Sequence, residues 1–126
     1  EDMSEIYAGR GMRLSLREEG RLAARMNSSL GASLVTNLLK NAYVHGDKGG
    51  TVSVTVAPHE LRVCNSSGGG ALDAEHIFER FYQGTKKEGS TGLGLSIVDA
   101  VCRLYGLRVG YSYINRCHCF SVHFRI

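Results

Sequence analysis

The period of the apolar residues changes several times along the chain, and each change marks an element. Met12, Leu14 and Leu16 alternate with Arg13, Ser15 and Arg17, the two-residue period of a half-buried strand. Glu18-Glu19-Gly20 turns the chain, and Leu22 to Met26 reads as a short second strand. The period then lengthens. Leu30, Leu34 and Leu38, with Val35, Leu39 and Ala42, form an apolar face at helical spacing, behind Asn27-Ser28-Ser29 as N-cap candidates. This helix is expected to end near His45-Gly46. Thr51 to Ala57 alternates strictly, Pro58-His59-Glu60 turns and Leu61 to Cys64 returns, which predicts a hairpin. Asn65-Ser66-Ser67-Gly68-Gly69-Gly70 reads as too flexible for regular structure. Asp73 is expected to cap a helix through about Phe81, and the polar stretch from Gln83 to Thr91 reads as a mobile lid. Leu93, Ile97, Val101 and Leu104 give a further helical face, closed by Gly106. Leu107 to Ile114 and Cys117 to Ile126 predict a second hairpin around Asn115-Arg116. Residues 1–10 read as the tail of a preceding helix or linker.

Helices and antiparallel hairpins in this order predict an α/β (α+β) two-layer sandwich. One mixed, mostly antiparallel sheet of about five strands is covered on one face by three helices. No internal repeat or linker divides the 126 residues, so 1–126 is expected to be a single domain. At 43% hydrophobic residues the chain can bury a core, and no apolar run is long enough to span a bilayer as a helix. The net charge of +3 is ordinary surface charge that tolerates a polyphosphate ligand, and no nucleic-acid partner is expected. Cys64, Cys102, Cys117 and Cys119 lack the C-x-x-C spacing of a zinc site and read as reduced, small hydrophobes of a cytosolic protein. On a strand, Cys117, Cys119 and His123 share one face while His118 points the other way, which argues against a metal site there.

Two features carry chemistry. Gly89-Ser90-Thr91-Gly92-Leu93-Gly94-Leu95 is a glycine-rich turn running into a helix. Such a turn aims several backbone N–H groups, and the positive end of the helix dipole, at one spot suited to phosphate. Asn37 and Asn41 lie four apart, so they stack on one helix face.

Four stretches then stand in a telling order: Asn37-Leu38-Leu39-Lys40-Asn41-Ala42, Asn65-Ser66-Ser67-Gly68-Gly69, Ile77-Phe78-Glu79-Arg80-Phe81-Tyr82 and Gly92-Leu93-Gly94-Leu95. They resemble the N, G1, F and G2 boxes of the catalytic, ATP-binding domain of a sensor histidine kinase, in the superfamily of gyrase, Hsp90 and MutL. The resemblance spans roughly Met12 to Ile126. It implies ATP and Mg²⁺ as cofactors, with Asn41 as the metal ligand and Asn37 as a second candidate. It implies nucleotide contacts from Asn37, Asn41, His45, Asn65, Gly69, Thr91, Gly92, Leu93, Gly94 and Leu95. It makes Arg80, Lys86 and Lys87 candidates for the γ-phosphate, with Asn41, Arg80 and Lys86 as the catalytic set. The implied partners are a dimerising, phosphoacceptor domain of the same parent and a response regulator. The isolated domain is expected to be monomeric and cytoplasmic, in a parent anchored in the inner membrane.

The chain departs from the pattern at three places. ATP-hydrolysing relatives carry a water-activating Glu where Asn37 stands, and an amide cannot take that proton. Asn65 replaces the Asp that reads adenine, followed by Ser67 where a Gly is usual. Val44 stands where many relatives have Lys or Arg. His59-Glu60-Leu61 imitates the start of a phosphoacceptor motif, but it follows Pro58 in a hairpin turn and lacks the continuation. Two other readings stand beside this one: a degenerate nucleotide-binding interaction module, which Asn65, Ser67 and Val44 motivate, and a serine kinase of the anti-sigma type, whose N-box can also end in Asn-Ala-x-x-His-Gly as Asn41 to Gly46 does. The latter should carry Glu at position 37 and lack the Phe78–Phe81 box.

Overall fold

The computed structural model describes residues 13–20, 26–47, 49–72, 75–78 and 94–124. Five strands and two helices follow one another as β1 (Arg13–Glu18), α1 (Ser28–His45), β2 (Thr51–Ala57), β3 (Glu60–Ser66), α2 (Gly94–Leu104), β4 (Arg108–Ile114) and β5 (Cys117–His123). The sheet order is β1-β2-β3-β5-β4. β1 runs parallel to β2, with Leu14 opposite Val52, and every other pair is antiparallel. This is the expected mixed sheet with helices against it. The third expected helix falls largely on residues outside the described set, and its described part, 75–78, is a turn. Residues 22–25 of the expected short strand, the tail 1–10 and the stretch 83–91 also lie outside it, and Met26, the last residue of that strand, is not in a strand.

Local chemistry explains the element ends. The Asn27 side chain accepts hydrogen bonds from the Ser29 and Leu30 amides at 2.9 and 3.1 Å, which pairs two donors that the first turn of α1 leaves open. Gly106 takes φ +68°, the left-handed conformation that closes α2. The β4–β5 turn puts Asn115 and Arg116 at φ 52° and 61°, the two positive values of a type I′ hairpin.

The core lies between the helices and one face of the sheet. Leu34, Leu38 and Ala42 of α1 and Val98, Val101 and Cys102 of α2 meet Val52, Leu61, Val63, Phe120 and Val122. Three expectations change here. In α2 the buried stripe is Val98, Val101 and Cys102, while Ile97 and Leu104 are exposed, so the helix is turned relative to the face read from Leu93, Ile97, Val101 and Leu104. Val35 is likewise exposed on α1. Leu14 and Leu16 sit on an edge strand and are exposed rather than half-buried. The fourth change concerns residues 65–66, which complete β3 instead of forming loop. The Ser66 carbonyl accepts from the Asp47 amide at 2.9 Å, and its hydroxyl accepts from the Thr51 amide at 2.9 Å. Those bonds outweigh the low strand propensity of Asn and Ser.

The cysteines are corrected too. The register sets Cys64 of β3 directly opposite Cys119 of β5, with Cα atoms 4.1 Å apart, and the two form a disulfide on the sheet face away from the helices. Cys102 and Cys117 are free. Burial, and then the charge of Asp99, push the Cys102 thiol up to about 11. With its thiol protonated and covered at pH 8, Cys102 should resist alkylation. The unreduced native protein should therefore yield Cys117 as its one rapidly modified cysteine, read by peptide mass mapping. Because the disulfide joins residues 55 apart, reducing it or making the Cys64→Ser variant should cost about 2–4 kcal/mol of stability, read from denaturant unfolding.

Candidate functional site

Three element ends converge on the helix side of the sheet: the second half of α1, the end of β3, and the start of α2. α1 packs against both α2 and β3. Asn37 Nδ2 donates to the Ser33 carbonyl at 2.8 Å and lies 3.2 Å from the Ser33 hydroxyl. Those two contacts fix the amide, and its Oδ1 then faces α2. A Cβ built on Gly94 would lie 3.3 Å from that oxygen. The asparagine-bearing helix and the glycine at the head of α2 are therefore in near contact, as the resemblance implies. Asn41 stands one turn further along the same face of α1, half-buried, and His45 one turn beyond it.

At the end of β3, strand alternation turns Leu61, Val63 and Asn65 toward the helices. Asn65 is 1% exposed. Among the described residues its Oδ1 has no hydrogen-bond partner, and its Nδ2 reaches the Ser66 carbonyl only at 3.5 Å. An unpaired buried acceptor costs about 1–3 kcal/mol, so this oxygen suits a ligand that brings a donor. The turn after β3 is anchored around it. The Ser67 amide bonds the Arg116 carbonyl at 2.8 Å, and Tyr113 Oη donates to the Ser67 carbonyl at 2.7 Å. The Asp47 carboxylate accepts from the Gly68 amide at 3.1 Å, and Ser67 Oγ from the Gly69 amide at 3.4 Å.

The structure sets Asn37 beside Gly94, with Asn41 one turn further along the same face of α1, Asn65 buried on the helix side of the sheet, and Leu95 packed against the core. Gly69 lies in the turn that follows Asn65. Arg80, Lys86, Lys87, Thr91, Gly92 and Leu93 lie outside the described residues. Val44 is buried at 5% exposure, a core residue rather than a phosphate contact. His118, not counted among the site residues, is also buried and stands directly across from Asn65 on β5. Its Nδ1 is 2.8 Å from Tyr111 Oη, which also accepts the Leu72 amide at 2.9 Å. The alternation of His118, Phe120 and Val122 was the signal for its inward direction. Burial raises the Tyr111 hydroxyl above its ordinary pKa, so it stays protonated at neutral pH. Among the described residues no cluster of His, Cys, Asp and Glu could hold a metal by itself.

Residues 27–125 match the family described as histidine kinase-, DNA gyrase B- and HSP90-like ATPases. The chain belongs to this family. It is 40% identical over 91 residues to the sensor histidine kinase RppB of Synechocystis, an alignment covering 65% of this chain and 20% of RppB. The chain thus spans about a fifth of that relative's length. In fold it is similar to the mycobacterial sensor histidine kinase MprB, with a TM-score of 0.80 at 22% identity over 95% of this chain and 88% of that one. It is also similar to ShkA, with a TM-score of 0.75 at 24% identity over 95% of this chain and 27% of that one. This histidine-kinase-type chain is an ATP-binding catalytic domain of the sensor-kinase kind. Among its described residues no helix is long and apolar enough to cross a membrane.

Proposed function

We propose that residues 1–126 are a single catalytic domain that binds Mg·ATP between α1 and the head of α2. The domain passes the γ-phosphoryl group to a histidine on a separate dimerising domain of its parent, from which a response-regulator aspartate receives it. The observation that carries this reading is the approach of the Asn37 carboxamide to Gly94, which joins the two halves of the expected site. The similar-folded ShkA was solved in complex with AMPPNP, which supports a nucleotide as the ligand.

The residues fit the chemistry. Asn41 offers a hard carboxamide oxygen to Mg²⁺, with Asn37 as a second donor. The ion, when bound, neutralises phosphate charge. The amides of Thr91, Gly92, Leu93, Gly94 and Leu95 would hold the phosphates. Asn65, His45 and Gly69 would serve the base, and Arg80 and Lys86 are the candidates for the γ-phosphate. The acceptor imidazole nitrogen attacks the γ-phosphorus, the bond to the β,γ-bridging oxygen breaks, and ADP leaves. Phosphoryl transfer is mostly positioning and charge neutralisation. Asn37 cannot take a proton from water, so the γ-phosphoryl group is kept for the histidine. The domain works in the cytoplasm, as part of a membrane-anchored parent, where the reducing environment would open the Cys64–Cys119 bridge to a pair of thiols.

Mixing the chain with its parent's phosphoacceptor domain and γ-labelled ATP tests this. Acid-labile, base-stable label on the acceptor domain is the expected result. Bound ATP with no label on histidine would count against it. The buried, uncharged Val44 favours a second reading, a degenerate nucleotide module. Titration with a fluorescent ATP analogue separates the two. No binding at millimolar nucleotide, unrestored by Asn65→Asp, selects the module.

A further inference from the structure

We propose that this site accepts 6-oxopurine nucleoside triphosphates, such as inosine triphosphate, alongside ATP, and that Asn65 sets this breadth. The inference rests on the nucleotide reading above and concerns the base.

Asn65 is buried at the end of β3, yet neither end of its amide is firmly held. Among the described residues the oxygen has no hydrogen-bond partner, and the nitrogen reaches only the carbonyl of the next residue, at 3.5 Å. Asn37 is the contrast, since its nitrogen is tied to Ser33 at 2.8 Å and 3.2 Å and its orientation is set. Across the sheet from Asn65, the His118 ring is engaged by Tyr111. The Asn65 amide can therefore turn by half a rotation about Cβ–Cγ, which exchanges its acceptor and its donors.

The two orientations match the two kinds of purine edge. A 6-aminopurine offers an N–H donor at position 6 beside an acceptor at ring N1. Oδ1 takes the first and Nδ2 serves the second. A 6-oxopurine reverses the pair, with an acceptor oxygen at position 6 and a donor at N1. The turned amide serves it equally well. A carboxylate at this position accepts and never donates, so it would leave O6 facing another oxygen with no proton between them. A site built to hydrogen-bond one group rejects the analogue that cannot return the bond. The Asn at position 65 removes that rejection.

Calorimetric titration of the chain with Mg·ATP and with Mg·ITP tests this, on the wild type and on Asn65→Asp and Asn65→Ala. The wild type should bind the two nucleotides within about tenfold of each other, and Asn65→Asp should open at least about a 100-fold preference for ATP. Asn65→Ala should weaken both alike. A wild type that prefers ATP by about 100-fold or more overturns the inference but leaves the nucleotide site standing. So does an Asn65→Asp variant with an unchanged ratio. If neither nucleotide binds the wild type, the site reading falls and takes the inference with it. The wild-type ratio decides alone if Asn65→Asp does not fold, which a thermal melt shows.

Discussion

Asn41→Ala is expected to slow phosphoryl transfer to histidine by roughly 100- to 1,000-fold, the several kcal/mol that a positioned cation contributes to such a transition state. The fold should survive. Asn41 is half-buried on one face of α1, and alanine is the better helix former, so unfolding should move by less than about 1 kcal/mol. Single-turnover transfer from labelled ATP reads the first effect and circular dichroism the second. A structural role for Asn41 would lower stability and rate together. A role in the site lowers the rate alone, and part of it should return at high Mg²⁺.

Phe120→Ala carries the largest expected loss of stability, about 3–5 kcal/mol. Phe120 is 1% exposed on β5, with the Tyr111 ring centroid 5.0 Å away and Phe78 edge-on at 6.1 Å. Truncation leaves a cavity bounded by stiff neighbours and removes both aromatic pairings. A domain of this size holds about 5–15 kcal/mol in all, so the variant should melt far lower or fail to accumulate folded. Urea unfolding measures it. A Phe120→Leu control should cost less, because it keeps most of the volume.

What could be read from the residues was local. The Asn27 cap, the β2–β3 and β4–β5 turns and the period-two strands each announce themselves within a few positions. The candidate site could be proposed for the same reason: Asn37 with Asn41, and the glycines before Leu95, are short motifs. What escaped depends on distant partners. Two stripes of α2 have helical spacing, and only packing against α1 and the sheet selects Val98, Val101 and Cys102 over Ile97 and Leu104. Asn65 and Ser66 look like loop until Asp47 and Thr51 arrive to bond them. Cys64 and Cys119 are 55 residues apart, and their pairing follows from the β3–β5 register, which no local pattern contains. Cysteine spacing and composition speak to redox compartment and not to strand register, so they carry no sign of that pair.

The central claim is that nucleotide lies on the helix side of the sheet, between α1 and the start of α2. Amide-resolved NMR during titration with Mg²⁺ and a non-hydrolysable ATP analogue tests it most directly. The largest shifts should fall at Asn37, Asn41, Asn65, Gly94 and Leu95, with Thr55, Arg62 and Ser121 on the opposite sheet face unmoved. Shifts gathered on that opposite face, or none at millimolar analogue, would contradict it.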